Sequence, residues 1–94
     1  LVEKDVSLLV SETFSPVFLR KATVYGASPA MRFFLVANSL TGFAYTQNKI
    51  KILGDGKQWR SLVYIDDVVD CYIKMLEAPQ EKIHNQIFNV GSSE

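Results

Sequence analysis

The residues whose types could do chemistry are concentrated in one stretch, GDGKQWRSLVYIDDV, from Gly54 to Val68. It combines a Gly-x-Gly turn with Arg60 and the adjacent carboxylates Asp66 and Asp67. An arginine could bind phosphate oxygens there, because its guanidinium is a rigid fork of donors that stays charged. The carboxylates could act as acids or bases, or could cap a helix. The stretch is therefore open to three interpretations: a catalytic site, a ligand clamp, or a turn followed by a capped helix.

The other reactive side chains predict no metal or disulfide chemistry. Cys71 is the only cysteine and His84 the only histidine, so one chain cannot build a disulfide framework or a thiolate metal cluster. Cys71 lies inside an apolar run, which favours a small core residue over a reactive thiol. His84 lies in a polar turn, so we expect no metal site there.

The composition limits the classes of protein and partner. The 94 residues are 48% hydrophobic and 21% charged, as in a single small globular domain. Ten Lys and Arg against ten Asp and Glu give a net charge of zero, with no basic block for nucleic acid. The sequence also has no apolar stretch near the length of a membrane span and no signal peptide pattern. We therefore expect a cytoplasmic protein that binds neither nucleic acid nor membrane.

The elements that must position these residues follow from the apolar pattern. Helical spacing predicts three helices, over residues 1–13, 33–48 and 66–78. Short apolar runs bounded by turn residues predict strands over residues 16–20, 50–53 and 86–91. We expect Asp66 and Asp67 to cap the third helix and Pro79 to end it. The alternation of helix and strand predicts an α/β fold with three helices and short, mainly parallel strands.

Three motifs in this order resemble one enzyme family. The segments LRKATVYGASP, GDGKQWRSLVYIDDV and IFNVG resemble the C-terminal half of the extended short-chain dehydrogenase/reductases, the NAD-dependent nucleotide-sugar epimerases and dehydratases. The resemblance covers Leu1 to Gly91 and implies a Rossmann-like fold. It also implies that residues 1–94 are a single substrate-binding α/β fragment without the N-terminal NAD-binding half. The chain begins without Met and stops just after a predicted strand, as a piece of a longer protein would.

The resemblance implies roles for the first predicted strand. In the family this strand carries an Arg-x-x-Asn pattern whose Asn holds the substrate near the nicotinamide. Here the pattern begins at Arg20 and has Thr23 at the Asn position, which keeps a hydroxyl but shortens the reach. Lys21 and Ala22 match positions that border the cofactor. The alternative for all of them is an ordinary strand residue without a ligand.

The resemblance also bears on the opening stretch. In the family, a Gln-x-Arg after the Gly-x-Gly turn places the Arg against the nucleotide diphosphate, and Gln58 and Arg60 match it. The alternative is a surface arginine. Trp59 could pack in the core or beside the nucleotide. We interpret the stretch as a ligand clamp joined to a helix start, with Asp66 and Asp67 as caps.

The motifs that carry the reaction in the family have no counterpart at the expected place. Relatives use a Tyr-x-x-x-Lys pair for proton transfer and bind NAD on a glycine-rich turn. This sequence has no such turn, and its one Tyr-x-x-x-Lys match, Tyr45 with Lys49, lies after the YG motif instead of before it. We assign no catalytic residue. NAD or NADP is expected for the complete enzyme and not for this chain alone.

Two functions follow. In the first, the chain is the substrate side of a nucleotide-sugar epimerase or dehydratase, with cofactor and proton chemistry supplied by residues outside it. In the second, it is a small non-catalytic protein of the same fold that binds or assembles. In either case open sheet edges predict a homo-oligomer, in which Val17, Leu19, Ile87 and Phe88 are buried.

Overall fold

The computed structural model describes residues 1–92 and confirms the α/β class. Its helices are α1 (Val2–Ser7), α2 (Val36–Gln47), α3 (Ile65–Glu77) and α4 (Gln80–Ile83). Its strands are β1 (Phe18–Lys21), β2 (Thr23–Tyr25), β3 (Leu62–Tyr64) and β4 (Ile87–Val90). The short helix α4 adds a fourth helix to the three that the sequence predicts.

The strands form two parallel pairs that share one run of chain. Strand β1 pairs with β4, with Leu19 opposite Phe88, and β2 pairs with β3, with Val24 opposite Val63. The two pairs meet at Ala22, whose backbone N–H donates to the Val90 carbonyl at 2.8 Å. A parallel pair needs a crossover between its strands, and helices fill both crossovers. The predicted mainly parallel strands are thereby confirmed.

The junction of the two pairs requires a glycine. A Cβ at Gly91 would lie 2.9 Å from the Ala22 Cβ and 2.9 Å from the Ser61 Oγ. Contacts of this length are shorter than packed side chains tolerate, so only a residue without a side chain fits between the two pairs. Gly91 thus sets how closely the end of β4 approaches the start of β3.

The core lies where α3 packs on β2 and β3. Within residues 1–92, Val63 on β3 and Val68 on α3 are the only buried hydrophobic residues, at 7% and 5% exposure. Helix α3 is amphipathic, and Val68 lies on its inner face. Many other apolar side chains, among them Leu9, Leu53 and Leu76, remain exposed to solvent. A single chain therefore covers only a small part of its apolar surface.

Several predicted boundaries are wrong. The first helix ends at Ser7 instead of Thr13, where Leu8 and Leu9 are exposed and find no packing partner within the described residues. Residues 50–53 form no strand, because no described strand runs beside them and the backbone would lack a ladder. Their place in the topology belongs to β3, whose apolar run follows Arg60.

The predicted caps of the third helix are also wrong. The N-cap of α3 is Tyr64, without a side-chain cap hydrogen bond, and Asp66 and Asp67 lie inside its first turn. Their carboxylates still suit the positive end of the helix dipole. The start of the helix is therefore favoured by charge and not by a capping side chain.

None of the helices within residues 1–92 has the length and apolar character to cross a membrane.

Candidate functional site

Two clefts meet at Arg60. The first, the tyrosine cleft, has a volume of about 650 Å³ and is lined by Tyr25, Arg60, Leu62, Val63, Tyr64, Asp67, Val90, Gly91 and Ser92. The second, the α2 cleft, has a volume of about 380 Å³ and is lined by Phe34, Val36, Ser39, Leu40, Lys51, Ile52, Leu53, Gly56, Gln58 and Arg60. Arg60 belongs to both linings. Its guanidinium therefore stands between a wall of tyrosines and a largely apolar recess.

The Arg60 guanidinium is available to a ligand. Within residues 1–92 it makes no hydrogen bond and no ion pair, and the residue is exposed. Asp67 lines the same tyrosine cleft but does not approach Arg60 closely enough for an ion pair. A guanidinium with its donors unused at a concave surface can bind a phosphate or carboxylate in two places at once. Gln58 adds amide donors in the α2 cleft.

Trp59 does not belong to the core. Its side chain is 96% exposed, so the interpretation as a core residue is wrong. The cause is the segment of residues 51–61, which is exposed throughout and has no regular secondary structure. Gln58 and Arg60 are among the lining residues of the α2 cleft, whereas Trp59 lines neither of the two clefts.

Lys21 and Ala22 border a third space, the β1 cleft. This cleft has a volume of about 480 Å³ and is lined by Arg20, Lys21, Ala22, Ser61, Asn89, Val90, Gly91 and Ser92. The Lys21 Nζ donates to the Tyr72 hydroxyl at 2.9 Å and lies 5.2 Å from the centroid of that ring. Helix α3 thus already holds the Lys21 amine.

Thr23 is separate from these clefts. Its side chain lines none of the three, and its backbone N–H donates to the Ser61 carbonyl at 3.1 Å. It lies opposite Leu62 at the start of the β2–β3 pair. The structure therefore brings Gln58 and Arg60 together and leaves Thr23 as a strand residue beside them. The ligand roles of all these residues stay predictions.

Arg20 is engaged elsewhere. Its Nε donates to the Glu3 Oε1 at 2.8 Å and its Nη2 to the Oε2 at 2.6 Å, which joins α1 to β1. These hydrogen bonds, and the charge of the guanidinium, hold the pKa of the Glu3 carboxyl below its usual value. The same contact raises the pKa of Arg20. Arg20 is therefore a structural arginine, whereas Arg60 makes no ion pair within residues 1–92. The third arginine, Arg32, lies over the Phe34 ring, with 4.6 Å between its guanidinium carbon and the ring centroid, and lines none of the three clefts.

Tyr45 and Lys49 do not lie on one helix. Tyr45 lies in the last turn of α2 and is 88% exposed, and Asn48 ends the helix in the left-handed conformation with φ 51°. Lys49 therefore lies beyond the helix end, where the spacing of four residues no longer puts two side chains on one face. Neither residue lines any of the three clefts.

Sequence reasoning missed the aromatic wall of the site. The rings of Tyr25 and Tyr64 have centroids 5.4 Å apart and are inclined at 55°. Each tyrosine is the last residue of its strand, and the parallel register of β2 and β3 puts them opposite each other. The matching sequences TVY and LVY were the available signal, because a shared apolar pattern ending in an aromatic residue predicts such a cross-strand pair.

Comparison with known proteins decides the family. Residues 4–91 match the NAD dependent epimerase/dehydratase family over nearly the whole chain. The chain belongs to this family. The family and the fold inferred from the three motifs are therefore confirmed.

A solved structure agrees with the family assignment. The chain is similar to the protein described as a novel NAD dependent NDP-hexosamine 5,6-dehydratase, TunA, involved in tunicamycin biosynthesis, with a TM-score of 0.78 and 27% sequence identity. The match covers 99% of this chain and 30% of that protein. This member of the epimerase/dehydratase family thus corresponds to less than a third of that dehydratase.

The described residues fit only the edge of an NAD site. The positive φ of Gly54 and Gly56 marks a tight turn, but exposed coil follows it instead of a helix. A pyrophosphate site of the Rossmann type needs the glycine turn to open a helix, whose N-terminal amides bind the phosphates. Lys21 and Ala22 could border the cofactor from the β1 cleft. We therefore assign no proton or hydride transfer with NAD to the residues of this chain.

Proposed function

We propose that this chain is the substrate-side portion of an NAD-dependent nucleotide-sugar epimerase or dehydratase. In this proposal Arg60 and Gln58 clamp the nucleotide diphosphate. Residues outside the chain bind NAD and supply the Tyr/Lys proton chemistry. The family supports the reaction class, and the dehydratase with 27% identity supports a nucleoside diphosphate sugar as the substrate class.

The observation that carries the proposal is the position of Arg60. It is the residue shared by the tyrosine cleft and the α2 cleft, and its donors have no acceptor within residues 1–92. A nucleotide sugar has a dianionic centre between two ring systems. A guanidinium between two recesses matches that layout, with the diphosphate on Arg60 and one ring system on each side.

The other predicted site residues keep their proposed roles. Gln58 donates to the ligand from the α2 cleft, whereas Thr23 lines none of the three clefts and its substrate contact rests on the family pattern alone. Lys21 and Ala22 border the nicotinamide end of NAD in the β1 cleft. The proposal assigns no proton transfer to the chain and places the complete enzyme in the cytoplasm as a homo-oligomer.

A titration of Arg60→Ala tests the clamp. The experiment uses the product of the complete gene, titrated with UDP-glucose and dTDP-glucose by calorimetry. We expect Arg60→Ala to weaken binding by about 1.5–3 kcal/mol, the scale of a charge-assisted contact. Lys57→Ala is the matched control, because Lys57 is a cation of the same exposed segment that lines neither cleft. Unchanged affinity in a folded Arg60→Ala protein would return Arg60 to the role of a surface residue.

One observation favours the second function, a non-catalytic protein that assembles. Val63 and Val68 alone are buried hydrophobic residues within residues 1–92, so most apolar side chains are left for contact with other surfaces. The same titration separates the two functions. An assembly protein would bind neither nucleotide sugar, and its affinity for itself would not depend on Arg60.

A further inference from the structure

Asn38 is the one polar residue that is buried within residues 1–92, at 9% exposure. It lies in α2, and its side chain reaches back to the loop between β2 and that helix. The Oδ1 accepts from the Gly26 N–H at 3.2 Å, and the Nδ2 donates to the Arg32 carbonyl at 3.2 Å. A buried amide needs such partners, since leaving them unpaired costs free energy. Asn38 therefore ties two points of the loop, its first residue and Arg32, to α2.

Gly26 transmits this constraint to the tyrosines. Its φ is +119°, and a Cβ there would lie 2.6 Å from the Tyr64 Cε2. The Gly26 backbone thus packs directly against the Tyr64 ring, a contact that no other residue allows. Tyr25 precedes Gly26 and packs against the same ring from the neighbouring strand. Whatever holds Gly26 in place also sets the spacing of the two rings.

We propose that Asn38 is a positioning residue for the ligand site. By holding Gly26 it fixes Tyr25 beside Tyr64 in the wall of the tyrosine cleft, where the two rings contact the sugar of the nucleotide sugar. The proposal rests on the function proposed above, in which Arg60 binds the diphosphate. It adds which side of Arg60 takes the sugar and which buried residue shapes that side.

The chemistry of the cleft supports the sugar side. The C–H face of a sugar ring is apolar and packs on aromatic rings, while its hydroxyls need polar partners. The tyrosine cleft offers both, with two half-exposed rings on one wall and the Asp67 carboxylate beside them. The α2 cleft has no tyrosine, and its lining combines Phe34 and four aliphatic side chains with the polar Ser39, Lys51, Gln58 and Arg60. It suits the nucleoside instead.

Asn38 itself lines neither the tyrosine cleft nor the α2 cleft. It faces a smaller recess of about 120 Å³ under the loop, which it shares with Tyr25 and Gly26. Any effect of Asn38 on the ligand must therefore pass through the loop to the tyrosines. This separates it from a contact residue and makes a coupling measurement decisive.

A double-mutant cycle between Asn38 and Tyr25 tests the proposal. The product of the complete gene would be titrated with UDP and with UDP-N-acetylglucosamine. We expect Asn38→Leu to weaken UDP-N-acetylglucosamine binding about 5- to 10-fold, the size of one or two lost positioning hydrogen bonds, and to leave UDP binding within about twofold. Tyr25→Leu should have the same selective effect, and the double variant should be no weaker than either single variant. Thr41→Val is the matched control, because the Thr41 hydroxyl donates only to Ala37 in its own helix.

The outcomes distinguish the two proposals. If the wild-type protein binds neither UDP nor the UDP-sugar, the proposed function is wrong. If it binds both, and Asn38→Leu weakens them equally, or the two substitutions add, the positioning role is wrong and the proposed function stands. If Asn38→Leu does not fold, Tyr25→Leu decides alone. Unchanged selectivity for the UDP-sugar in that variant overturns the inference.

Discussion

Arg20 donates two hydrogen bonds to the carboxylate of Glu3 and thereby joins α1 to β1 across 17 residues of sequence. Helix α1 has no buried residue. The Ser7 Oγ of this helix also donates to the Asn85 Oδ1 at 2.8 Å. These polar contacts tie the helix to β1 and to the residue Asn85 that precedes β4.

The Glu3 pKa should depend on Arg20. Because the pKa is lowered in the folded chain, the contribution of this pair is present above the ordinary pKa of a glutamate and is lost as the pH falls through the lowered value. We expect Arg20→Gln to return the Glu3 pKa toward its usual value in a carbon-13 NMR titration of the Glu3 carboxyl. An unchanged Glu3 pKa in Arg20→Gln would refute the contact.

Two glycine substitutions should change the free energy of unfolding in opposite directions. Gly91→Ala puts a Cβ 2.9 Å from both Ala22 and Ser61, so we expect it to lower the free energy of unfolding by about 1–3 kcal/mol. Gly42→Ala adds a Cβ with nothing within 4 Å inside α2, so we expect a gain of about 0.5–1 kcal/mol. Urea unfolding of both variants measures the difference. A neutral Gly91→Ala would mean that the two sheet pairs do not meet as closely as described.

The isolated 94-residue chain should show no epimerase, dehydratase or NAD-reducing activity. The sequence has no glycine-rich cofactor turn, and Asn48 separates Tyr45 from Lys49 at the end of α2. The measurement is turnover of UDP- and dTDP-sugars with added NAD. Turnover that Tyr45→Phe abolishes would contradict this and would make Tyr45 a catalytic residue.

The isolated chain should also assemble. Within one chain Val17, Leu19 and Phe88 are only half-buried and Ile87 is 48% exposed, so the burial expected for these four residues is not reached without a partner. Each parallel pair also has open edges within the described residues. We expect light scattering at micromolar concentration to give a dimer or larger species. A monodisperse monomer that unfolds cooperatively would contradict this.

The strands β1 and β4 could be predicted from the sequence, whereas the pair formed by β2 and β3 could not. The runs FLRK and IFNV are bounded by turn residues and carry enough apolar side chains to indicate buried strands. The three-residue strands β2 and β3 owe their existence to each other, because a pair so short is fixed by its partner and not by its own pattern. For the same reason residues 50–53 have a strand-like composition but form no strand.

The site could be predicted to a similar degree. The motif around Gln58 and Arg60 correctly put two polar side chains in one cleft, because spacing within one segment survives folding. The tyrosine wall had only the weak signal of the matching segments TVY and LVY, and the burial of Asn38 had none, since both depend on contacts between distant segments. Trp59 shows the opposite error: an aromatic residue usually packs, but this one lies in an exposed segment without regular secondary structure and is itself 96% exposed.

The central claim is that this chain is the substrate side of a larger epimerase or dehydratase. The most direct measurement is the sequence of the full transcript that encodes it. The account predicts that the open reading frame continues upstream with a glycine-rich turn between a strand and a helix, and with a Tyr-x-x-x-Lys pair on the helix that leads into α1. An upstream reading frame that lacks both motifs would contradict the claim.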